Sequence, residues 1–140
     1  MRCAYTGVLG EDELSEFVVE TLNREEIDTS HLVRRPGARP IYSMIVVDQR
    51  QQTKTIFYDL ANVHVPAASL PDEGVIRSTK VLLVDHFGTE GMIRPARIAR
   101  SAGIPVVADF ETDAAPNFAE LLALVDHLIV PHGFAKSVTG

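Results

Sequence analysis

Two apolar runs in this chain end in acids, and those acids are the residues best placed to do chemistry. Lys80-Val-Leu-Leu-Val is followed by Asp85-His86, and Ile104-Pro-Val-Val-Ala is followed by Asp109, with Glu111 two positions on. If both runs are strands of an open parallel sheet, their carboxyl ends are where such sheets bind ligands. Carboxylates there can accept hydrogen bonds from sugar hydroxyls or hold Mg²⁺; the plainer alternative is an Asp that caps the next helix or faces solvent. Between the first run and the next helical pattern stands Gly88-Thr-Glu-Gly91, the usual position for a phosphate on a helix N-terminus. It matches neither G-x-G-x-x-G nor a Walker sequence, so it reads as a loop, as does Gly7-Val-Leu-Gly10.

Other chemistries find little material. The five histidines (31, 64, 86, 127, 132) show neither H-x-x-x-H nor H-E-x-x-H spacing, and the single Cys3 cannot complete a zinc site, so no metal centre is expected. His86 alone stands at a plausible ligand position. Cys3 falls within the first apolar run and reads as a small core residue, not a nucleophile. No G-x-S-x-G suggests a hydrolase. Net charge is −6 and the largest basic cluster is the pair Arg34-Arg35, which argues against a nucleic-acid surface. No 18-residue apolar span is present, so membrane insertion is not supported, and one cysteine suits a reducing cytoplasm.

The elements that would hold those acids read as α/β. Arg2 to Leu9 suits a short strand. Glu11-Asp12-Glu13 then places negative charge in the first turn of a helix whose apolar stripe is Leu14, Phe17, Val18 and Leu22, ending near Glu25 or Glu26. Ile41–Val47 and Thr53–Tyr58 flank the polar stretch 48–52 and predict an antiparallel hairpin. Its apolar face would comprise Ile41, Met44, Val46, Ile56 and Tyr58. Loop and one short helix follow from Pro66 to Ser78. Strand, helix, strand, helix, strand then runs from Lys80 to Pro131, with helices near Glu90–Ala102 and Phe118–Val125. That alternation means crossovers and a parallel sheet. The continuous apolar runs predict strands buried on both faces. Pro95 is compatible only with the first turn of its helix, and Gly103 is placed as that helix's C-terminal cap.

In this order the pieces resemble one family. TGVLGEDELSEFVVETLNREEIDTSHLV is similar to the strand, G-x-D, helix and "GID" leading to the lid of PfkB/ribokinase-type sugar kinases. QTKTIFYDLANVH is similar to their lid strand, and ARIARSAGIPVVADFE with LLALVDHLIVPHGFAKSVTG to their central sheet, up to Thr139-Gly140. The resemblance implies a ribokinase-like, Rossmann-like parallel sheet with helices on both faces and an inserted β-hairpin lid, truncated at both ends. Residues 1–140 would be a partial domain, with residues 38–59 as the lid. The implied activity is ATP-dependent phosphorylation of a carbohydrate hydroxyl, with ATP and Mg²⁺ as family cofactors, a sugar or polyol as ligand, and a homodimer paired through the lids. Asp85, Asp109 and Glu111 would be the strand-end polar groups near the sugar.

Departures from the family pattern qualify that activity. The G-A-G-D anion hole, whose Asp is the catalytic base, is not found, nor are the ATP-binding segments beyond it. Where N-x-x-E belongs the chain reads Pro131-His-Gly-Phe134, and Ser15 replaces a frequent glycine of G-x-D-x-x-G. The expectation is therefore no catalytic residue, no metal ligand, an inactive fragment that binds neither ATP nor Mg²⁺ alone, and marginal folding because truncation uncovers the sheet. Two other readings are a non-catalytic dimerisation or polyol-binding module, and an unrelated flavodoxin-like or sugar-binding regulator half-domain.

Overall fold

The computed structural model describes residues 2–65 and 69–139; Met1, the loop start at Pro66 and the Gly140 of the closing Thr-Gly pair lie outside the described residues. The chain forms two units, residues 1–64 and 65–140.

In the first unit, β1 (Val8–Leu9) leads through α1 (Glu13–Arg24) to β2 (Val33–Arg34), and β1 and β2 pair in parallel. The first strand is shorter than its sequence suggests: Arg2 to Leu9 contributes only β1 and an isolated bridge between Ala4 and Asp28. Cys3 beside that bridge is exposed, not a core residue. Asp12 starts α1: its backbone is extended and its Oδ1 accepts the Ser15 amide at 2.9 Å. The α1 stripe is only half-buried, and Phe17 is 63% exposed. What is buried instead is Ser15, whose Oγ accepts the Gly10 amide at 3.0 Å. Ser15 thus ties the loop before the helix to the helix itself.

β3 (Tyr42–Asp48) and β4 (Thr53–Asp59) form the antiparallel hairpin. Its register pairs Met44 with Phe57 and Ile45 with Ile56. Facing partners share a side, so Met44 and Val46 lie on one face with Phe57, while Ile56 and Tyr58 lie on the other with Ile45. The single apolar face drawn from alternation is therefore two apolar faces. Every residue of both strands is exposed.

The second unit contains α2 (Glu73–Arg77), β5 (Leu82–Asp85), α3 (Thr89–Ser101), β6 (Val106–Asp109), α4 (Phe118–Leu122), β7 (His127–Ile129) and α5 (His132–Thr139). β5, β6 and β7 form a parallel sheet in that order. α3 passes through Pro95 in its middle, not its first turn; the residue is buried, and its missing N–H leaves one hydrogen bond of the helix unmade. Gly103 follows α3 at φ 70°, the left-handed conformation expected of a cap. α5 was not legible as a helix, since Pro131-His-Gly-Phe134 has no helical stripe.

Ile76, Val84, Ile93, Ala96, Ala99, Val106, Ala108, Phe110, Phe118 and Leu121 form one core, with Phe134 packed against it. The helices of the second unit thus pack on the sheet face that carries Val84, Val106 and Ala108. Alternate strand residues occupy the other face. There Leu83 is 68% and Ile129 57% exposed, so the expectation of strands buried on both faces does not hold for the described residues.

Candidate functional site

Both predicted strand-end acids lie at the carboxyl ends of the sheet. Asp85 ends β5, Asp109 ends β6, and the two are direct partners across the parallel ladder. The local chain explains how Asp85 is held. Its Oδ1 accepts the Phe87 amide at 2.7 Å, closing a tight turn, and its own amide points at the Met92 sulfur at 3.3 Å. Desolvation by surrounding atoms pushes the Asp85 carboxyl above the usual aspartate range; the Phe87 amide and His86 oppose that shift, and Asp109 adds to it. The residue as a whole keeps solvent contact, so the penalty is screened.

Glu111 joins this end of the sheet through its backbone. Its amide approaches His86 Nδ1 at 3.5 Å, and the His86 ring lies 4.2 Å from that of Phe87. Asp85, His86, Asp109 and Glu111 therefore share the turns after β5 and β6. Such carboxylates can accept hydrogen bonds from ligand hydroxyls. No group of three or more His, Cys, Asp or Glu able to hold a metal occurs among the described residues.

The Gly88–Gly91 loop has a structural explanation. Gly88 adopts φ 79°, and a Cβ there would sit 2.5 Å from Val65 Cγ1. Thr89 is buried and its hydroxyl donates to the His86 carbonyl at 3.3 Å. The bare Cα thus serves the turn into α3. A shallow cleft of about 350 Å³ lies at the opposite, amino ends of β6 and β7, between Arg100 and Asp126. Those two residues are ion-paired at 3.1 Å, and Asp126 also accepts the Val106 amide. Sequence reasoning missed Met92 and Asp126. The spacing of Met92 from Asp85 gives no cue, and Asp126 resembles any acid before a strand.

The profile of the pfkB family carbohydrate kinases matches residues 1–132. The chain belongs to that family. This pfkB chain is 26% identical over 127 residues to a ribokinase of Staphylococcus aureus (strain COL), an alignment covering 89% of the chain and 41% of that enzyme. A ribokinase-like protein of Agrobacterium tumefaciens superposes with a TM-score of 0.81 at 26% identity, over 99% of this chain and 45% of that one. Fructokinase from Xylella fastidiosa with bound ATP gives a TM-score of 0.80 at 13% identity, over 96% and 46%. The fold is therefore ribokinase-like. The pfkB chain spans less than half the length of these relatives. No helix among the described residues is long and apolar enough to cross a membrane.

Proposed function

We propose that this pfkB chain is a sugar-binding portion of a carbohydrate kinase, and that alone it does not transfer phosphoryl groups. The observation that carries the reading is the pairing of Asp85 with Asp109 at the carboxyl ends of β5 and β6 in a chain of this family. Asp85, Asp109 and Glu111 would accept hydrogen bonds from the hydroxyls of a sugar or polyol. The hairpin, residues 38–59, would act as the lid over that ligand. It would also pair with the lid of a second copy in a cytoplasmic homodimer that contacts no nucleic acid. Relatives support the substrate class: the ribokinase of Arabidopsis thaliana was solved with ribose and ATP and shares the fold at a TM-score of 0.71.

Phosphoryl transfer is almost entirely positioning and electrostatic stabilisation of the moving group. ATP and Mg²⁺ would supply that group and its counter-charge in the family. In this chain the G-A-G-D motif is missing, the place of the family's N-x-x-E reads Pro131-His-Gly-Phe134, and no group able to hold a metal occurs among the described residues. The chain's own contribution is to bind and orient the accepting hydroxyl.

Two assays test this. Titration calorimetry with ribose, fructose and related polyols should give binding that Asp109→Asn weakens. ADP release over pentoses, hexoses and nucleosides should stay at background. Turnover that survives repurification overturns the inactive reading, and absence of any sugar binding overturns the site. The hairpin's two exposed apolar faces favour one second reading, a non-catalytic dimerisation or polyol-binding module. Dimerisation without ATP binding, in an otherwise intact full-length protein, would select it.

A further inference from the structure

The β3–β4 hairpin is an arm whose stance is decided at its root. Its strands pack on each other, and all their residues are exposed, so packing along its length does little to fix its angle. At the root the Arg39 amide donates to the Asn62 carbonyl at 3.0 Å, closing the two strands together. Two contacts tie that root to the start of α1. The Ala38 carbonyl lies against Gly10, where a Cβ would fall 1.8 Å from its oxygen. Arg39 Nε donates to Asp12 Oδ2 at 3.0 Å. The other oxygen of the same carboxylate caps α1 through the Ser15 amide.

We propose that Asp12 is a latch for the hairpin: one oxygen caps α1, the other holds Arg39, and loss of the second bond frees the arm to swing while the helix stays capped. The bond pair divides the two roles cleanly, because Asn caps helices about as well as Asp but cannot form the ion pair. Neighbouring charges do not substitute for it. Arg34 is held by Glu16 at 2.9 Å and by the Gly10 carbonyl, and Arg35 faces His64. Asp12 and Arg39 are both partly exposed, so the pair is weak, which suits a latch that biases an arm and does not lock it. The latch is independent of whether the arm covers a sugar.

Double electron–electron resonance tests it on the full chain, with spin labels at Gln51→Cys and Glu20→Cys in a Cys3→Ser background, diluted with unlabelled chain. The parent should give one narrow distance, and Asp12→Asn and Arg39→Met should each broaden it. The double variant should be no broader than either single, and Arg39→Lys should restore part of the narrowing. Hydrogen exchange at the Arg39 amide should quicken about two- to fivefold in both singles, the range set by a weak surface pair, with α1 protection unchanged. Unchanged distances in both singles overturn the latch. Loss of α1 protection together with the broadening also overturns it, because Asp12 would then act only as a cap.

Discussion

Asp85 and Asp109 face each other as register partners at the ends of two adjacent parallel strands, and only the first sits in a turn that closes on its own carboxylate. Desolvation raises the Asp85 carboxyl above its usual value of 3.8. Between that value and the raised one the folded chain binds more protons than the unfolded chain, so stability falls as pH rises through the window. Asp85→Asn removes the penalty. The variant should unfold at a higher temperature than the parent at pH 7, and the difference should shrink as pH falls from the raised value towards 3.8 and be lost below it. Thermal unfolding monitored across that range is the measurement, and a variant equally stable or weaker at pH 7 would count against the desolvated carboxyl.

Asp12 carries the opposite sign. Hydrogen bonds from Ser15, then the Arg39 guanidinium, hold its carboxyl below the usual range. Its contribution to stability is therefore present above 3.8 and lost as pH falls through the lowered value. Asp12→Asn should cost stability at pH 7 and converge on the parent in acid. Parallel unfolding curves for Asp12→Asn and Asp85→Asn should thus approach the parent from opposite sides, and curves that approach from the same side contradict one of the two assignments.

Gly10→Ala should be costly for a reason visible only in the fold. The added methyl would fall on the Ala38 carbonyl oxygen, which is backbone and cannot rotate away. Displacing it costs about 1–3 kcal/mol, the range for inserting a methyl into a filled site. Gly74→Ala meets nothing within 4 Å and sits in α2, where it should instead stabilise by up to about 1 kcal/mol. Denaturant midpoints for the two variants give a direct comparison, and equal effects would mean that the 10–38 approach relaxes easily.

Sequence periodicity located the parallel strands, the helices between them and the hairpin because each has a strong local pattern. Asp85, Asp109 and Glu111 were legible for the same reason, standing where apolar runs stop. Faces were less legible. The hairpin alternates apolar and polar residues imperfectly, and which residues share a side depends on register, which pairs Ile45 with Ile56 and separates both from Met44. The burial of Ser15 and the exposure of Phe17 depend on how α1 meets the loop at Gly10, a tertiary contact that no helical stripe encodes. Continuous apolar strands could not reveal that the helices gather on one face of β5–β7.

The two-faced hairpin separates two modes of association. Ile56 and Phe57 are neighbours in β4 but point to opposite sides. If copies of the chain dimerise through one face of the arm, Ile56→Asp and Phe57→Asp should differ: one should give a monomer by light scattering, and the other should leave the dimer intact. Exposed strand edges also invite pairing through the backbone. Edge pairing would leave both variants dimeric, and a parent that is monomeric at high concentration removes the dimer altogether.

Stability should be limited by the open face of β5–β7. Its helix-covered side is filled by side chains such as Leu121, fully buried, and Leu121→Ala should cost about 2–5 kcal/mol. On the other side Leu83 and Ile129 remain largely in water. Burying such a side chain is worth about 1.5–3 kcal/mol, and domains have only about 5–15 kcal/mol in total, so leaving several uncovered takes a large share of the margin. Leu83→Lys should accordingly leave the unfolding midpoint nearly unchanged while reducing binding of an apolar dye. Leu121→Ala should unfold the chain near room temperature. If the parent binds no dye and melts sharply at high temperature, independent of concentration, the open face is already covered in solution and the expected marginal stability is wrong.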